Sequence, residues 1–75
     1  MNTGDGKEAM VLLLIMLQDG QWHTIADMLG WLEQHDIYRG RRAVADDINV
    51  LTRYYPISEE RDNIGRLIYR LEDNV

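Results

Sequence analysis

The first half of the chain carries its apolar residues with helical spacing. One continuous run, AMVLLLIML from Ala9 to Leu17, predicts a helix over about 7–18. That helix should stop at Asp19-Gly20, where glycine can adopt a left-handed turn. The tripeptide QWH that follows is expected to form a short extended link or strand.

A second helix is predicted to begin after Thr24 and to end near position 35 or 36. Threonine is a good N-cap, and Asp27 occupies the capping-box position three residues later. The apolar residues of this segment follow the i, i+3, i+4, i+7 pattern of one helix face: Ile25, Met28, Leu29 and Leu32.

A third helix is predicted over about 41–54, and Pro56 prevents its continuation. One stripe of this helix is apolar and comprises Val44, Ile48, Leu51 and Tyr55. The opposite stripe is polar and comprises Arg42, Asp46, Asn49 and Arg53. The polar stripe must therefore face solvent or a partner.

The last part of the chain predicts a β-hairpin. Leu67, Tyr69 and Leu71 alternate as in a half-buried strand, and Asn63 to Gly65 supply turn-forming residues. Three helices followed by a hairpin predict a mainly α fold with a small β-hairpin, in the arrangement called a winged helix-turn-helix.

Length and charge limit the organisation and the partners. Seventy-five residues with 45% hydrophobic content allow one small domain, expected over 7–72 between a flexible tail at 1–6 and a C-terminal tail at 73–75. The net charge of −5 argues against a general nucleic-acid coat, because non-specific DNA affinity comes from neutralising phosphates. The segment from Arg39 to Arg53 nevertheless carries four arginines against two aspartates. A basic island thus lies in an acidic chain.

The stretch GQWHTIADMLGWLEQHDIYRGRRAVADDINVLTRYYPI resembles the N-terminal DNA-binding domain of WYL-type (DeoR-like) bacterial transcription regulators. The residues that match that pattern in order are Trp22, Thr24, Arg41, Arg42, Val44, Asp47, Ile48, Leu51 and Pro56. The Arg-Arg-x-Val-x-x-Asp-Ile core is the distinctive part. The resemblance implies a winged helix over about 7–71 that binds DNA, and because no counterpart of the WYL domain is present we expect it to act alone.

Three positions depart from the family pattern. Gly40 replaces the usual serine before the arginines, and Ala45-Asp46 replace glutamine or arginine followed by arginine. Asp47 matches the family, and we expect it to orient the third helix through an ion pair or hydrogen bond. For Asp46, in the centre of the polar stripe, three roles remain open: an intrahelical pair with Arg42, acceptance of a hydrogen bond from a cytosine amine, or contact with a basic protein surface.

The candidate DNA contacts lie on the third helix and beside the hairpin tip. They are Arg39, Arg41, Arg42, Ala45, Asp46, Asn49, Arg53, Arg61 and Arg66. Arginines bind phosphates and base edges, and Arg61 and Arg66 flank the turn, where a wing would meet the neighbouring minor groove. The alternative for each arginine is a solvated side chain. Trp22 and Trp31 are expected to anchor a core or an interface and not to stack on bases.

The first helix is apolar on every side, which leaves one face without a core to fill. We expect a homodimer to cover that face, with an interface formed by Met10, Leu12, Leu13 and Met16. A symmetric dimer would also match a palindromic DNA site.

Catalytic, metal and membrane signals are weak. His23 and His35 have no thiol or third histidine nearby, and Ser58 is the only serine. We expect no enzyme activity, no cofactor, no metal and no small-molecule substrate. The apolar run from Ala9 to Leu17 is about half the length of a membrane span, so we expect no membrane insertion.

These observations favour a cytoplasmic, dimeric DNA-binding protein of bacterial or phage type that regulates transcription. The absence of cysteine suits a reducing cytoplasm. The alternative function is a protein-binding adaptor or inhibitor that presents an acidic winged-helix surface to a basic partner, in one form by mimicking DNA.

Overall fold

The computed structural model describes residues 6–72. Within this range the elements follow in the order α1 (Gly6–Leu17), β1 (His23–Thr24), α2 (Ile25–Gln34), α3 (Arg41–Thr52), β2 (Ile57–Arg61) and β3 (Leu67–Leu71). The expected three helices and hairpin are therefore present. The tails predicted at 1–6 and 73–75 lie outside the described residues, except for Gly6, which begins α1.

The end of α1 and the start of α2 are each determined by residues that are close together in the sequence. Gly20 has a φ of 72° and donates its backbone N–H to the Leu17 carbonyl at 3.1 Å, which closes α1 as expected. At the start of α2 the Thr24 hydroxyl accepts from the Asp27 N–H, and the Asp27 carboxylate accepts from the Thr24 N–H, each at 3.0 Å. The predicted capping box is therefore confirmed.

The buried stripe of α3 is confirmed except at its end. Val44, Ile48 and Leu51 are buried. Tyr55, which was expected to continue the stripe, is instead exposed. The prediction failed because α3 ends at Thr52, so the chain leaves the helical path before it reaches Tyr55.

The sheet has three antiparallel strands in the order β1-β3-β2. In addition to the expected pairing of β2 with β3, the short strand β1 pairs with β3 and places His23 opposite Tyr69. The expected hairpin is thus part of a three-stranded sheet, and the fold is a mixed α/β arrangement of three helices and this sheet. The predicted alternation in β3 is confirmed, because Tyr69 is buried while Leu67 and Leu71 pack partly against the core.

The core joins all three helices to the sheet. Its buried apolar residues are Ala9, Leu13, Leu17, Met28, Leu32, Ile37, Val44, Ile48, Leu51 and Tyr69. The helix α1 supplies the stripe Ala9, Leu13 and Leu17 at intervals of four residues, which is the spacing of one helix face. No helix in the part of the chain described here combines the length and apolarity that a membrane crossing requires.

The exposed apolar face of α1 is not the face that was predicted to form the dimer interface. Leu13 is fully buried in the core, so its assignment to a dimer interface was wrong. Met10, Leu12 and Met16 are partly buried against the same core and do not form the exposed face. The exposed apolar side chains of α1 are Val11 and Ile15, at 57% and 53% exposure. A run that is apolar throughout gives no periodicity from which to choose its inner face, and this caused the error.

Candidate nucleic-acid interface

A buried ion pair fixes the position of α3. The Arg39 guanidinium donates from Nε to Asp47 Oδ2 at 2.8 Å and from Nη2 to Asp47 Oδ1 at 3.0 Å, which is a bidentate arrangement. The two side chains are only 15% and 7% exposed. The structural role expected for Asp47 is therefore confirmed. Arg39, which was predicted to contact DNA, has its guanidinium turned to this carboxylate instead.

The ion pair lies where three parts of the chain meet. Arg39 precedes α3, Asp47 lies in its second turn, and Gly6 at the start of α1 is adjacent: a Cβ on Gly6 would lie 3.8 Å from Arg39 Nη2 and from Asp47 Oδ1. The N-terminal end of a helix carries partial positive charge, which favours a carboxylate at this place. The contact therefore couples the orientation of α3 to α1 and to the segment between α2 and α3.

The outward stripe of α3 is exposed as predicted. Arg42, Asp46, Asn49 and Arg53 are exposed, and Arg41, the first residue of α3, is exposed beside them. Ala45, the remaining candidate on this helix, is half-buried. The stripe therefore offers three guanidinium groups, one amide and one carboxylate to a partner.

The carboxylate of Asp46 does not pair with Arg42. Among residues 6–72 no ion pair within 4.0 Å includes either of these side chains. Of the three roles left open for Asp46, the intrahelical pair is thus not formed, whereas the contact with a cytosine amine and the contact with a basic protein surface both need an exposed carboxylate. The two adjacent aspartates accordingly have different environments, with Asp47 buried and Asp46 facing solvent.

Three arginines that are distant in the sequence line one cavity. Arg41 at the start of α3, Arg61 at the end of β2 and Arg66 before β3 surround a space of about 260 Å³, closed by Thr24, Ile25, Ala26 and Leu67. We call this space the arginine pocket. The strand register explains the position of Arg61, because it pairs with Leu67. Arg61 Nη1 donates to the Gly65 carbonyl and Arg66 Nε donates to Asp62 Oδ2, so an anion such as a phosphate would be bound by Arg41 and by the remaining N–H donors of the other two arginines.

The turn between β2 and β3 is held by Asp62, which is not among the predicted site residues. Its Oδ1 accepts from the backbone N–H of Ile64 at 3.1 Å and of Arg66 at 2.8 Å, and its Oδ2 accepts from Arg66 Nε at 2.7 Å. Gly65 has a φ of 90° and donates its N–H to the Asp62 carbonyl at 3.0 Å. An aspartate at the first position of a turn commonly bonds the backbone two residues on, and this was the signal available in the sequence.

These hydrogen bonds also set the ionisation of Asp62. Desolvation raises the pKa of this carboxyl, but the bonds from the backbone and side chain of Arg66 and from the backbone of Ile64 outweigh it and hold the pKa below its ordinary value. A depressed pKa means that the carboxylate stays ionised at neutral pH and that its bonds weaken only in acid, as pH falls through that lowered pKa. The carboxylate of Asp62 is therefore ionised, and able to accept these hydrogen bonds, at neutral pH.

The tryptophans and histidines have packing and hydrogen-bonding roles. Trp31 donates from Nε1 to the Leu12 carbonyl at 2.8 Å, and the Arg70 guanidinium lies 4.6 Å from the centre of the Trp22 ring. Trp31 packs against the core as expected, whereas Trp22 is half-buried and is not among the residues that pack against the core. His23 Nε2 lies 3.0 Å from each oxygen of Asp19. Over residues 6–72 no group of three or more histidine, aspartate or glutamate side chains could hold a metal ion.

Comparison with known proteins gives no relative from which a role could be transferred. No protein-family model, no curated protein and no solved structure matches the chain.

Removal of one partner of the buried ion pair is expected to destabilise the fold. Asp47→Asn should lower the free energy of unfolding by about 3–5 kcal/mol, because it removes the negative charge that accepts two hydrogen bonds from the largely buried Arg39 guanidinium. Urea unfolding followed by circular dichroism measures the change. The double variant Arg39→Met with Asp47→Leu should recover most of the stability. Arg42→Ala is the matched control on the exposed stripe and should remain within about 0.5 kcal/mol of the wild type. Wild-type stability in Asp47→Asn would contradict the role assigned to the pair.

Proposed function

We propose that this protein is a small winged-helix DNA-binding protein that regulates transcription in the cytoplasm of a bacterium or in a phage-infected cell. In this proposal α3 is the recognition helix and the β2–β3 hairpin is the wing. The order of the elements, with a short strand before α2 and a hairpin after α3, supports the winged-helix assignment. The observation that carries the proposal is the arginine pocket, because residues from the start of α3 and from both limbs of the β2–β3 hairpin line one cavity.

The distribution of charge on the described surface supports DNA as the ligand in preference to a small anion. Arg41, Arg42 and Arg53 lie exposed along α3 and make no ion pair within 4.0 Å in the described part of the chain. An α-helix fits the major groove, where arginine reads guanine and Asn49 has the amide that can read adenine. With α3 in that groove, the arginine pocket would bind the phosphate backbone beside it.

A second function is favoured by a specific observation, the exposed carboxylate of Asp46, which makes no ion pair within residues 6–72. A carboxylate in the centre of a DNA-binding face repels phosphates at every sequence. Its position suits a protein adaptor or inhibitor that binds a basic surface. The net charge of −5 agrees with that use. We retain DNA binding as the main proposal because Asp46 is the one exposed aspartate of α3, whereas Arg41 and Arg42 in the helix and Arg53 directly after it are all exposed.

The contribution of the basic residues is tested by DNA binding at low and moderate salt. Arg41→Ala and Arg42→Ala should each weaken binding to all duplexes of a random pool, and each should lower the salt slope by about one for every phosphate that the replaced guanidinium neutralises. Fluorescence anisotropy of labelled duplexes measures both quantities. Arg70→Ala is the matched control, because Arg70 lies against Trp22 and outside the proposed interface. Absence of DNA binding by the wild-type protein at low salt would contradict the proposal.

Replacement of Asp46 distinguishes the two functions. If α3 reads DNA, Asp46→Arg should raise non-specific affinity and steepen the salt dependence, because it replaces a repulsive charge with an attractive one. If Asp46 also accepts from a cytosine amine, discrimination among sites should fall by about 1–3 kcal/mol. Selection of sites from a random duplex pool measures the discrimination. An adaptor would instead show no DNA binding in the wild type even at low salt.

Self-association is proposed through the exposed face of α1. Val11 and Ile15 lie exposed one helical turn apart. Val11 also borders a groove of about 480 Å³, whose other lining residues are Leu12, Ile37, Lys7, Glu8 and His35. Burial of such a face in a two-fold dimer would remove apolar surface from water. The dimer would present two recognition helices to a palindromic site.

The dimer is tested by replacing the exposed residues and leaving the core intact. Val11→Glu with Ile15→Glu should convert a dimer into a folded monomer, because the charges would be buried at the interface but solvated in the monomer. Sedimentation gives the oligomeric state, and circular dichroism reports the fold. Leu13→Ala is the contrasting variant and should lower the stability by about 2–5 kcal/mol because Leu13 belongs to the core. A wild-type monomer at high micromolar concentration would contradict the dimer.

A further inference from the structure

The apex of the β2–β3 turn carries an exposed isoleucine. Ile64 is 71% exposed, more than either exposed apolar residue of α1. It is absent from the core and from the partly buried residues that pack against the core. A turn apex is usually occupied by glycine, asparagine, aspartate or serine, each of which favours the turn or its hydration. An isoleucine there contributes little to folding and leaves a branched apolar side chain in water.

The backbone beneath Ile64 is held in one conformation. Its own N–H is bonded to Asp62 Oδ1, and the neighbouring Gly65 N–H is bonded to the Asp62 carbonyl. Arg61 adds a bond from Nη1 to the Gly65 carbonyl at 2.7 Å. These bonds connect both limbs of the hairpin across the turn. The isoleucine is therefore presented on a pre-organised support, which lowers the entropy that a binding event must remove.

The charges around the apex restrict its partner. Arg61 and Arg66 flank Ile64 on the two limbs of the turn, and the Arg66 side chain is 61% exposed. Both arginines also line the arginine pocket with Arg41, so the apex belongs to the wing that borders the start of α3. Asp62 pairs with Arg66 in the same turn, but its side chain is only 14% exposed, so the two arginines carry the outward charge of the apex. A matching partner must offer negative charge on both sides of an apolar slot. The minor groove of DNA meets this requirement when a base step opens, since phosphates line its edges and the opened step exposes the apolar faces of two base pairs.

We propose that Ile64 acts as an apolar wedge that enters the minor groove and partly unstacks one base step. The proposal rests on the DNA-binding function proposed above and extends it to the wing. Apolar side chains of this kind insert between the two base pairs of a step and bend the duplex. The bent duplex then contacts more of the protein surface. Arg61 and Arg66 supply the attraction to the groove, and Ile64 supplies the distortion.

The wedge implies a sequence preference without hydrogen bonds to bases. Pyrimidine–purine steps such as TA and CA unstack more easily than the stiff steps of A-tracts, so the protein should favour a flexible step at the wing position. The affinity for a site with a flexible step should be about tenfold higher than for a site with a stiff step. This ratio lies within the range of affinity changes caused by a single mismatched base pair. This specificity would be independent of the contacts that α3 makes in the major groove.

The test uses a duplex of about 30 base pairs that the wild-type protein recovers from a random pool. Fluorophores at its two ends report bending by energy transfer, and 2-aminopurine placed at successive steps reports unstacking. The wild type should shorten the end-to-end distance and raise 2-aminopurine fluorescence at one step. Ile64→Ala and Ile64→Gln should abolish both signals and reduce the preference for a flexible step to within about twofold, while salt-dependent binding persists. Ile64→Leu should retain all three effects.

Tyr55→Ala is the matched control, because it removes an exposed large side chain that belongs neither to the candidate DNA contacts nor to the proposed dimer face, and it should leave bending and unstacking unchanged. Binding by the wild type without bending or unstacking would overturn the wedge and leave the DNA-binding function standing. The same conclusion follows if Ile64→Ala equals the wild type in both signals, a result that would be expected if Ile64 instead fitted a pocket of a protein partner. No duplex binding by the wild type at low salt would overturn both proposals.

Discussion

The buried ion pair between Arg39 and Asp47 is the contact on which the arrangement of this small fold depends. It places a full charge from the segment before α3 against one from within α3, beside the first residue of α1. A buried pair of this kind adds little net stability over an apolar substitute, but its two parallel hydrogen bonds allow one geometry only. It thereby sets the rotation of α3 about its axis. That rotation decides that Asp47 is buried and that Asp46, one residue earlier, faces outward.

The features that the sequence predicted correctly depend on neighbouring residues. The capping box at Thr24 and Asp27, the glycine turn at Gly20 and the alternation around Tyr69 each arise within a few positions of the chain. The features that it did not predict depend on distant partners. The sequence around Arg39 does not indicate that its guanidinium pairs with Asp47. The sequence of the short strand β1 likewise does not indicate that β1 pairs with β3.

The candidate site likewise contains some features that local sequence predicted and others that depend on the tertiary fold. Periodicity alone identified the exposed stripe of α3, because a helix of known register assigns each residue to a face. The arginine pocket required the tertiary fold, since Arg41, Arg61 and Arg66 belong to three different segments. The support of the turn by Asp62 was recognisable as local turn chemistry, but its importance emerged only with the exposed Ile64 above it. In α1 the unbroken apolar run removed the contrast that periodicity needs, and the inner and outer faces could not be distinguished.

The central position of β3 in the sheet has a consequence for assembly during synthesis. Its partners are β2, which is close in sequence, and β1, which lies before two of the three helices. Local helices form faster than contacts that close long loops, so the pairing of β1 with β3 is expected to complete the fold and not to initiate it. A nascent chain can form its helices on the ribosome, but β1 remains an unpaired edge until β3 has emerged. The arginine pocket, which is lined by residues of α2, α3 and both strands of the hairpin, therefore acquires its geometry only in the final stage of folding.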